Sequence, residues 1–164
     1  MSGQAPRSGQ TSLGRTGDAA RMRQAVQGPV RVERAPEALG GDTATWLGER
    51  VSDPRPGLRS FRCDFEIDTR TGTDRALHAS ALVTLGQVTP SDTGWTLVVE
   101  WRPGDATARL PVFTGQLNVG PGRLELVGYY TPPGGHRRTS DVAPPDTATE
   151  AAGRWFLRRV AAVL

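Results

Sequence analysis

Alternating apolar and polar residues dominate the middle of the chain and predict β-strands. Residues 61–68 (FRCDFEID) alternate strictly between an apolar and a charged side chain. A period of two with one charged face is typical of an antiparallel strand whose other face is buried. Similar alternation recurs in 77–85, 95–101, 109–119 and 123–131. Short turns separate these segments and leave no room for a helix, so the pattern predicts an antiparallel meander.

The two ends of this meander have a different pattern. Residues 29–34 (PVRVER) predict a short strand, and two short helices are expected after it. The first begins near Pro36, an early helical position that suits proline. The second runs from Thr43 to about Arg50, with Asp42 as its N-cap. The final segment, 146–164, predicts a long amphipathic helix because its apolar residues follow helical spacing. Those residues are Ala152, Trp155, Phe156, Val160 and Val163.

The order of these elements predicts an α+β fold. A meander with one apolar face requires a cover, and the C-terminal helix is the long amphipathic element available. We therefore expect a curved antiparallel sheet of about six strands gripping the C-terminal helix, within one domain formed by residues 29–164.

The first 28 residues differ from the rest in composition. They contain four Arg and one Asp, and among Leu, Ile, Val and Phe only Leu13 and Val26. So little apolar surface does not offset the entropy of ordering a chain, which predicts a disordered tail over residues 1–28. The spaced arginines could attract nucleic acid or an anionic membrane, but no aromatic residue lies among them to stack on a base, so a solvated extension is the preferred interpretation.

The overall composition excludes several classes of protein. The 164 residues carry a net charge of +3, and all 20 basic residues are Arg, which is typical of a GC-rich bacterial genome. A single Cys excludes an intramolecular disulfide. No apolar run has the roughly 20 residues needed to span a bilayer, and no secretory signal is present. We therefore expect a cytoplasmic protein.

The element order resembles that of small bacterial helix-grip proteins. The resemblance is carried by residues 111–113 (PVF), 124–133 (LELVGYYTPP) and 154–161 (RWFLRRVA) together. These features are similar to the START-like (SRPBCC) superfamily, which includes polyketide cyclase-like proteins. The resemblance implies a hydrophobic pocket between the sheet and the C-terminal helix. It implies no chemistry, since the superfamily mixes enzymes, carriers and regulators.

Five residues form the candidate ligand site. Strand parity places Trp101 and Tyr130 on the inward face, and Gly128 removes a side chain where two large rings flank the space. Core packing would explain the aromatic residues, but the glycine favours a cavity. We therefore predict a pocket bordered by Phe65, Trp101, Gly128, Tyr130 and Phe156.

Few residues suggest other chemistry. His78 is expected to face solvent and His136 lies in a glycine-rich segment, with no spacing that would indicate a metal site. Cys63 falls on the apolar face and is interpreted as a small buried hydrophobe. No metal or cofactor is predicted. We expect a non-enzymatic protein that binds a hydrophobic small molecule, such as a lipid or a polyketide-like aromatic. Two alternatives remain open: a cyclase or hydratase, and an interaction protein that uses its surface or basic tail.

Overall fold

The structure is a computed structural model that describes residues 20–67, 77–108, 110–131 and 147–164. Within these ranges eight strands form one sheet and two α-helices accompany it. The strands are β1 (Ala20–Gln27), β2 (Glu49–Val51), β3 (Arg59–Ile67), β4 (Leu77–Leu85), β5 (Thr89–Ser91), β6 (Gly94–Pro103), β7 (Val112–Gly120) and β8 (Arg123–Thr131). The helices are α1 (Ala35–Gly40) and α2 (Thr147–Val163), and single 3-10 turns occur at Val32–Arg34 and Thr43–Thr45.

The sheet is antiparallel throughout, which confirms the predicted α+β class. Its strand order is β1-β8-β7-β6-β4-β3-β2, and β5 pairs with β6 beside this path. The predicted number of about six strands is wrong, because β2 and β5 are too short to show alternation and β1 lies in the predicted tail. The strand expected at 29–34 is also absent: Val32–Arg34 form a 3-10 turn. The second predicted helix is reduced to the turn Thr43–Thr45.

Strand β1 corrects the prediction of a disordered tail over residues 1–28. Its eight residues pair with β8 from Ala20 opposite Tyr130 to Gln27 opposite Arg123. Met22 is buried, whereas Arg21 and Arg23 point outward. The backbone hydrogen bonds to β8 supply the stabilisation that the side-chain composition lacks. Residues 1–19 lie outside the described residues.

The sheet curves around α2. This helix contacts β3 and β8 and also β1, at the far edge of the sheet from β3. In a flat sheet β1 and β3 would lie roughly 24 Å apart, about twice the diameter of a helix. Contact with both strands therefore requires the sheet to bend. We call the side that faces α2 the inner face, and the opposite side the outer face.

A close approach of backbone and side chain joins β1 to α2. The Gln24 Nε2 atom donates a hydrogen bond to the Glu150 carbonyl oxygen at 3.0 Å. Its Oε1 atom occupies the place where a side chain at Gly153 would begin. A side chain at position 153 would therefore displace the Gln24 amide from this position.

None of the helices in the described ranges is both long enough and apolar enough to span a membrane.

Candidate functional site

The inner face contains a cluster of aromatic rings centred on Trp101. This side chain is 1% exposed. Its ring lies 5.6 Å from that of Phe65 in an edge-to-face arrangement and 5.8 Å from that of Phe156. Phe65 also contacts Trp155 of α2, with ring centroids 4.3 Å apart. Three of the five predicted site residues, on β3, β6 and α2, are thus brought together.

Phe113 is a member of this cluster that sequence reasoning missed. Its ring stacks on Trp101 at 4.3 Å with an interplanar angle of 25°. On its other side the ring covers Gly115 and Gly128, which are cross-strand partners on β7 and β8. A Cβ atom at Gly128 would lie 2.8 Å from Phe113 Cζ. It would also contact the Thr114 carbonyl oxygen and lie 2.6 Å from Gly115 Cα, so the interpretation of Gly128 as the wall of an empty space is wrong: the backbone of β7 and the Phe113 ring fill that space.

Tyr130 completes the predicted set. It lies on the inner face of β8, 5% exposed, opposite Phe113 on β7. All five predicted residues are thus buried, as a core would require. The inward alternation of Val112–Gly120 could have identified Phe113, but the direction of its ring over two glycines is not readable from the sequence.

The indole nitrogen of Trp101 is the unusual feature of this cluster. It is buried, and among the described residues it has no hydrogen-bond acceptor. A buried donor without a partner costs about 1–3 kcal/mol, and a buried Trp N–H usually finds an acceptor. This group could therefore recognise a hydrogen-bond acceptor on a bound molecule.

The cluster lies towards one end of the sheet. At this end β3 leads to β4, β6 to β7 and β8 to α2, while β1 begins beside Tyr130. Cross-strand pairing links Trp101 to Phe113 and Phe113 to Tyr130 close to these strand ends.

The other predicted candidates show no chemistry in the described residues. His78 is exposed opposite Glu66. Cys63 is buried, and burial raises the pKa of its thiol to about 12, which makes it a poor nucleophile. In the ranges that the structure covers, no three His, Cys, Asp or Glu residues are grouped as a metal site would require. His136 lies outside the described residues.

The outer face carries a polar groove of about 410 Å³. Its floor is a cross-strand row formed by Ser60, Thr84, Glu100 and Thr114 on β3, β4, β6 and β7. Residues 52–55, from the connection between β2 and β3, form one wall. We call this feature the outer groove.

A network of hydrogen bonds and ion pairs fixes the wall of the outer groove to its floor. Arg55 binds Asp53 through Nε at 3.2 Å and Nη2 at 3.0 Å, and it reaches Glu100 through Nη1 at 3.1 Å. The Ser60 hydroxyl donates to Asp53 Oδ2 at 2.7 Å. Hydrogen bonds from Arg55 and Ser60 hold the pKa of Asp53 below its usual range, and the two carboxylates raise the pKa of Arg55.

This network is suited to binding and not to proton transfer. A carboxylate with a lowered pKa is a weak base, and Arg55 remains protonated. The alternation of residues along β6 predicts that Glu100 lies on the solvent-exposed outer face. Its partner Arg55 belongs to a connecting segment without periodicity, so the groove itself could not be predicted.

The chain matches no family model, and comparison with curated proteins and solved structures shows no significant similarity.

Proposed function

We propose that this protein binds a hydrophobic small molecule between the inner face and α2, without transforming it. The ligand has a flat aromatic or lipidic body and one hydrogen-bond acceptor. The observation that carries the proposal is the buried indole N–H of Trp101, which lacks an acceptor among the described residues. A ligand carbonyl or hydroxyl oxygen would accept this hydrogen bond and offset the cost of burying the donor.

The topology supports a helix-grip fold of the START-like kind. The first strand lies at one edge of the sheet and β2 at the other, with short helical segments between them in the chain. The long C-terminal helix contacts strands towards both edges. This arrangement resembles the helix-grip pattern, in which the space between sheet and helix takes the ligand.

The chemistry of the interior favours binding over catalysis. A cyclase or hydratase needs an acid and a base that converge on the substrate. Among the described residues no Asp, Glu or His belongs to the buried core of the inner face. A ligand that displaces one of the rings packed on Trp101 would gain their contact area and aromatic stacking, which suits a carrier or a sensor.

The decisive experiment replaces the indole N–H alone. Benzothienylalanine in place of Trp101 keeps the shape of the ring system and substitutes sulfur for the N–H group. We expect the affinity for Nile red, an apolar dye with a carbonyl acceptor, to fall about tenfold, as for the loss of one hydrogen bond. The same replacement at Trp95, half-buried on the same strand, is the matched control and should leave affinity unchanged.

Stability measurements separate this proposal from a structural role. Because the N–H has no partner among the described residues, the Trp101 replacement should leave the free energy of unfolding equal or higher. A loss of stability would show that the indole is already paired within the protein. Native mass spectrometry of protein purified from its own host should reveal a retained molecule. Absence of both dye binding and a retained molecule would refute the proposal.

A further inference from the structure

The outer face carries an exposed surface on the four strands furthest from β2. Within the described ranges, the three large apolar side chains that are exposed are Val98, Val112 and Tyr129. They lie at outer positions of the neighbouring strands β6, β7 and β8. We call the outer positions of these three strands, together with those of the edge strand β1, the exposed patch. Exposed apolar residues gathered on one surface are typical of an interaction site.

The exposed patch has an excess of positive charge. It holds four arginines and two glutamates, namely Arg21, Arg23, Arg102, Arg123, Glu100 and Glu125. Glu125 is paired with two of these arginines, Arg23 at 3.1 Å and Arg123 at 2.6 Å. Glu100 is paired with Arg55 of the outer groove at 3.1 Å. Both acids are therefore engaged, and an anionic partner is favoured over a cationic one.

Two arginines of the exposed patch are available to such a partner. Arg21 and Arg102 are exposed, and neither forms an ion pair in the part of the chain that the structure describes. Arg21 lies on β1 and Arg102 on β6, with β8 and β7 between them. Three strand spacings separate them by about 14 Å. One anion that reaches both arginines must therefore be extended and carry more than one negative charge.

Tyr129 lies between the strands of these two arginines. Its side chain is 59% exposed, and it is paired with Arg21 on one side and with Thr114 on the other. An unpaired base stacks on an exposed aromatic ring of this kind, and cationic side chains beside the ring bind the phosphates.

Polar residues among the apolar ones favour nucleic acid over other anionic partners. Gln116 lies between Val98 and Val127 on adjacent strands, and Thr114 lies beside Tyr129. Insertion into a membrane or burial in an apolar protein interface would leave these polar groups without partners, at a cost in free energy. The edges of unpaired bases carry donors and acceptors that satisfy them.

We propose that the exposed patch binds single-stranded nucleic acid, with a base stacked on Tyr129 and phosphates bound by Arg21 and Arg102. This site lies on the opposite side of the sheet from the inner face, and it is independent of the ligand proposed there.

Fluorescence anisotropy with the full chain and labelled oligonucleotides tests this proposal. The probes are a short oligo(dT), an oligo(U) of the same length, and the duplex of the oligo(dT) with oligo(dA). We expect a single strand to bind, with an affinity that falls as the salt concentration rises. The duplex should bind more weakly, because its bases are not available to Tyr129. Tighter binding of the duplex would show that charge alone is recognised and would overturn the proposal.

Variants of Tyr129 test the stacking contact. Tyr129→Ala removes the ring and should weaken binding of the single strand about tenfold or more. Tyr129→Phe keeps the ring and should bind as the wild type does. Urea unfolding of both variants verifies that the fold is retained, as expected for an exposed side chain. Wild-type affinity in Tyr129→Ala would show that the oligonucleotide binds elsewhere, for example at the arginines of residues 1–19, and the proposal would be wrong.

Variants of the arginines test the phosphate contacts. Arg21→Gln and Arg102→Gln should each reduce the slope of log affinity against log salt concentration by about 0.7, the value for one phosphate of a single strand. Arg158→Gln removes the same charge from an exposed position of α2 and should leave the slope unchanged. Equal effects of all three would show that only net charge matters. That result, binding to phosphatidylserine vesicles but to neither single strand, or binding to no probe would each overturn the proposal.

Discussion

The two faces of the sheet are built from the same strands but are stabilised differently. On the inner face, Trp101 is surrounded by the rings of Phe65, Phe113 and Phe156. On the outer face Glu100, the residue before Trp101 in the chain, forms a solvent-accessible ion pair with Arg55. Burial of apolar surface stabilises the first face, whereas the ion pairs of the second contribute little to folding. Stability is therefore concentrated on the inner face, and the outer face is free to vary in its chemistry.

Removing a large ring from each face should give the largest contrast. Phe156→Ala removes a fully buried ring that contacts Trp101 and should lower the free energy of unfolding by roughly 3–5 kcal/mol. Tyr129→Ala removes an exposed ring from the outer face and should stay within about 0.5 kcal/mol of wild type. Urea unfolding of both variants measures the difference. Similar losses in the two would show that α2 does not cover the inner face.

A smaller effect is expected where a side chain is added to the inner face. Gly128→Leu places new atoms where the backbone of β7 and the Phe113 ring already lie and should destabilise by roughly 1–3 kcal/mol or more. Val127→Leu, on the neighbouring outward position of β8, is the matched control and should be close to neutral. Thermal unfolding compares them. A Gly128→Leu protein as stable as wild type would show that the space beside this glycine is empty after all.

The smallest effect concerns the charges of the outer face and depends on pH. Because the folded protein lowers the pKa of Asp53, its carboxylate stabilises the fold above the unfolded-state pKa, near pH 4. That contribution declines as the pH falls further. Asp53→Asn should therefore reduce stability at neutral pH, and its difference from wild type should shrink below about pH 4.

Urea unfolding between neutral pH and about pH 3 measures this difference. The control is Asp92→Asn, which removes the same charge from an exposed position. A difference that is independent of pH would show that the carboxylate charge of Asp53 contributes nothing.

The elements predicted from the sequence are those whose pattern is local. The alternation in β3, β6 and β8 and the helical spacing in α2 each depend on a few neighbouring residues. Strand β1 escaped prediction because Gln24 interrupts the apolar residues at its inward positions and Ala25 lies among its outward ones, so the alternation is weak. It forms a strand because its backbone pairs with the edge strand β8, which lies about 100 residues further along the chain.

In the candidate site, too, local sequence pattern predicts some residues and not others. Parity was sufficient to place Phe65 and Trp101 on one face, and helical spacing placed Phe156 opposite them. Gly128 was misread, because the ring of Phe113 reaches across from a neighbouring strand. The outer groove was missed because Asp53 and Arg55 lie in a connection whose path depends on the assembled sheet.

The pairing of β1 with β8 has a consequence for synthesis on the ribosome. Arg23 and Glu125 form an ion pair although 102 positions separate them in the chain. At roughly 5–20 residues per second, β1 waits about 5–20 s for its partner strand to be translated. During this interval the nascent sheet also lacks α2, which follows β8 in the chain, so its aromatic face is open to other chains. A chaperone that shields the nascent chain until α2 has been translated should therefore raise the yield of folded protein.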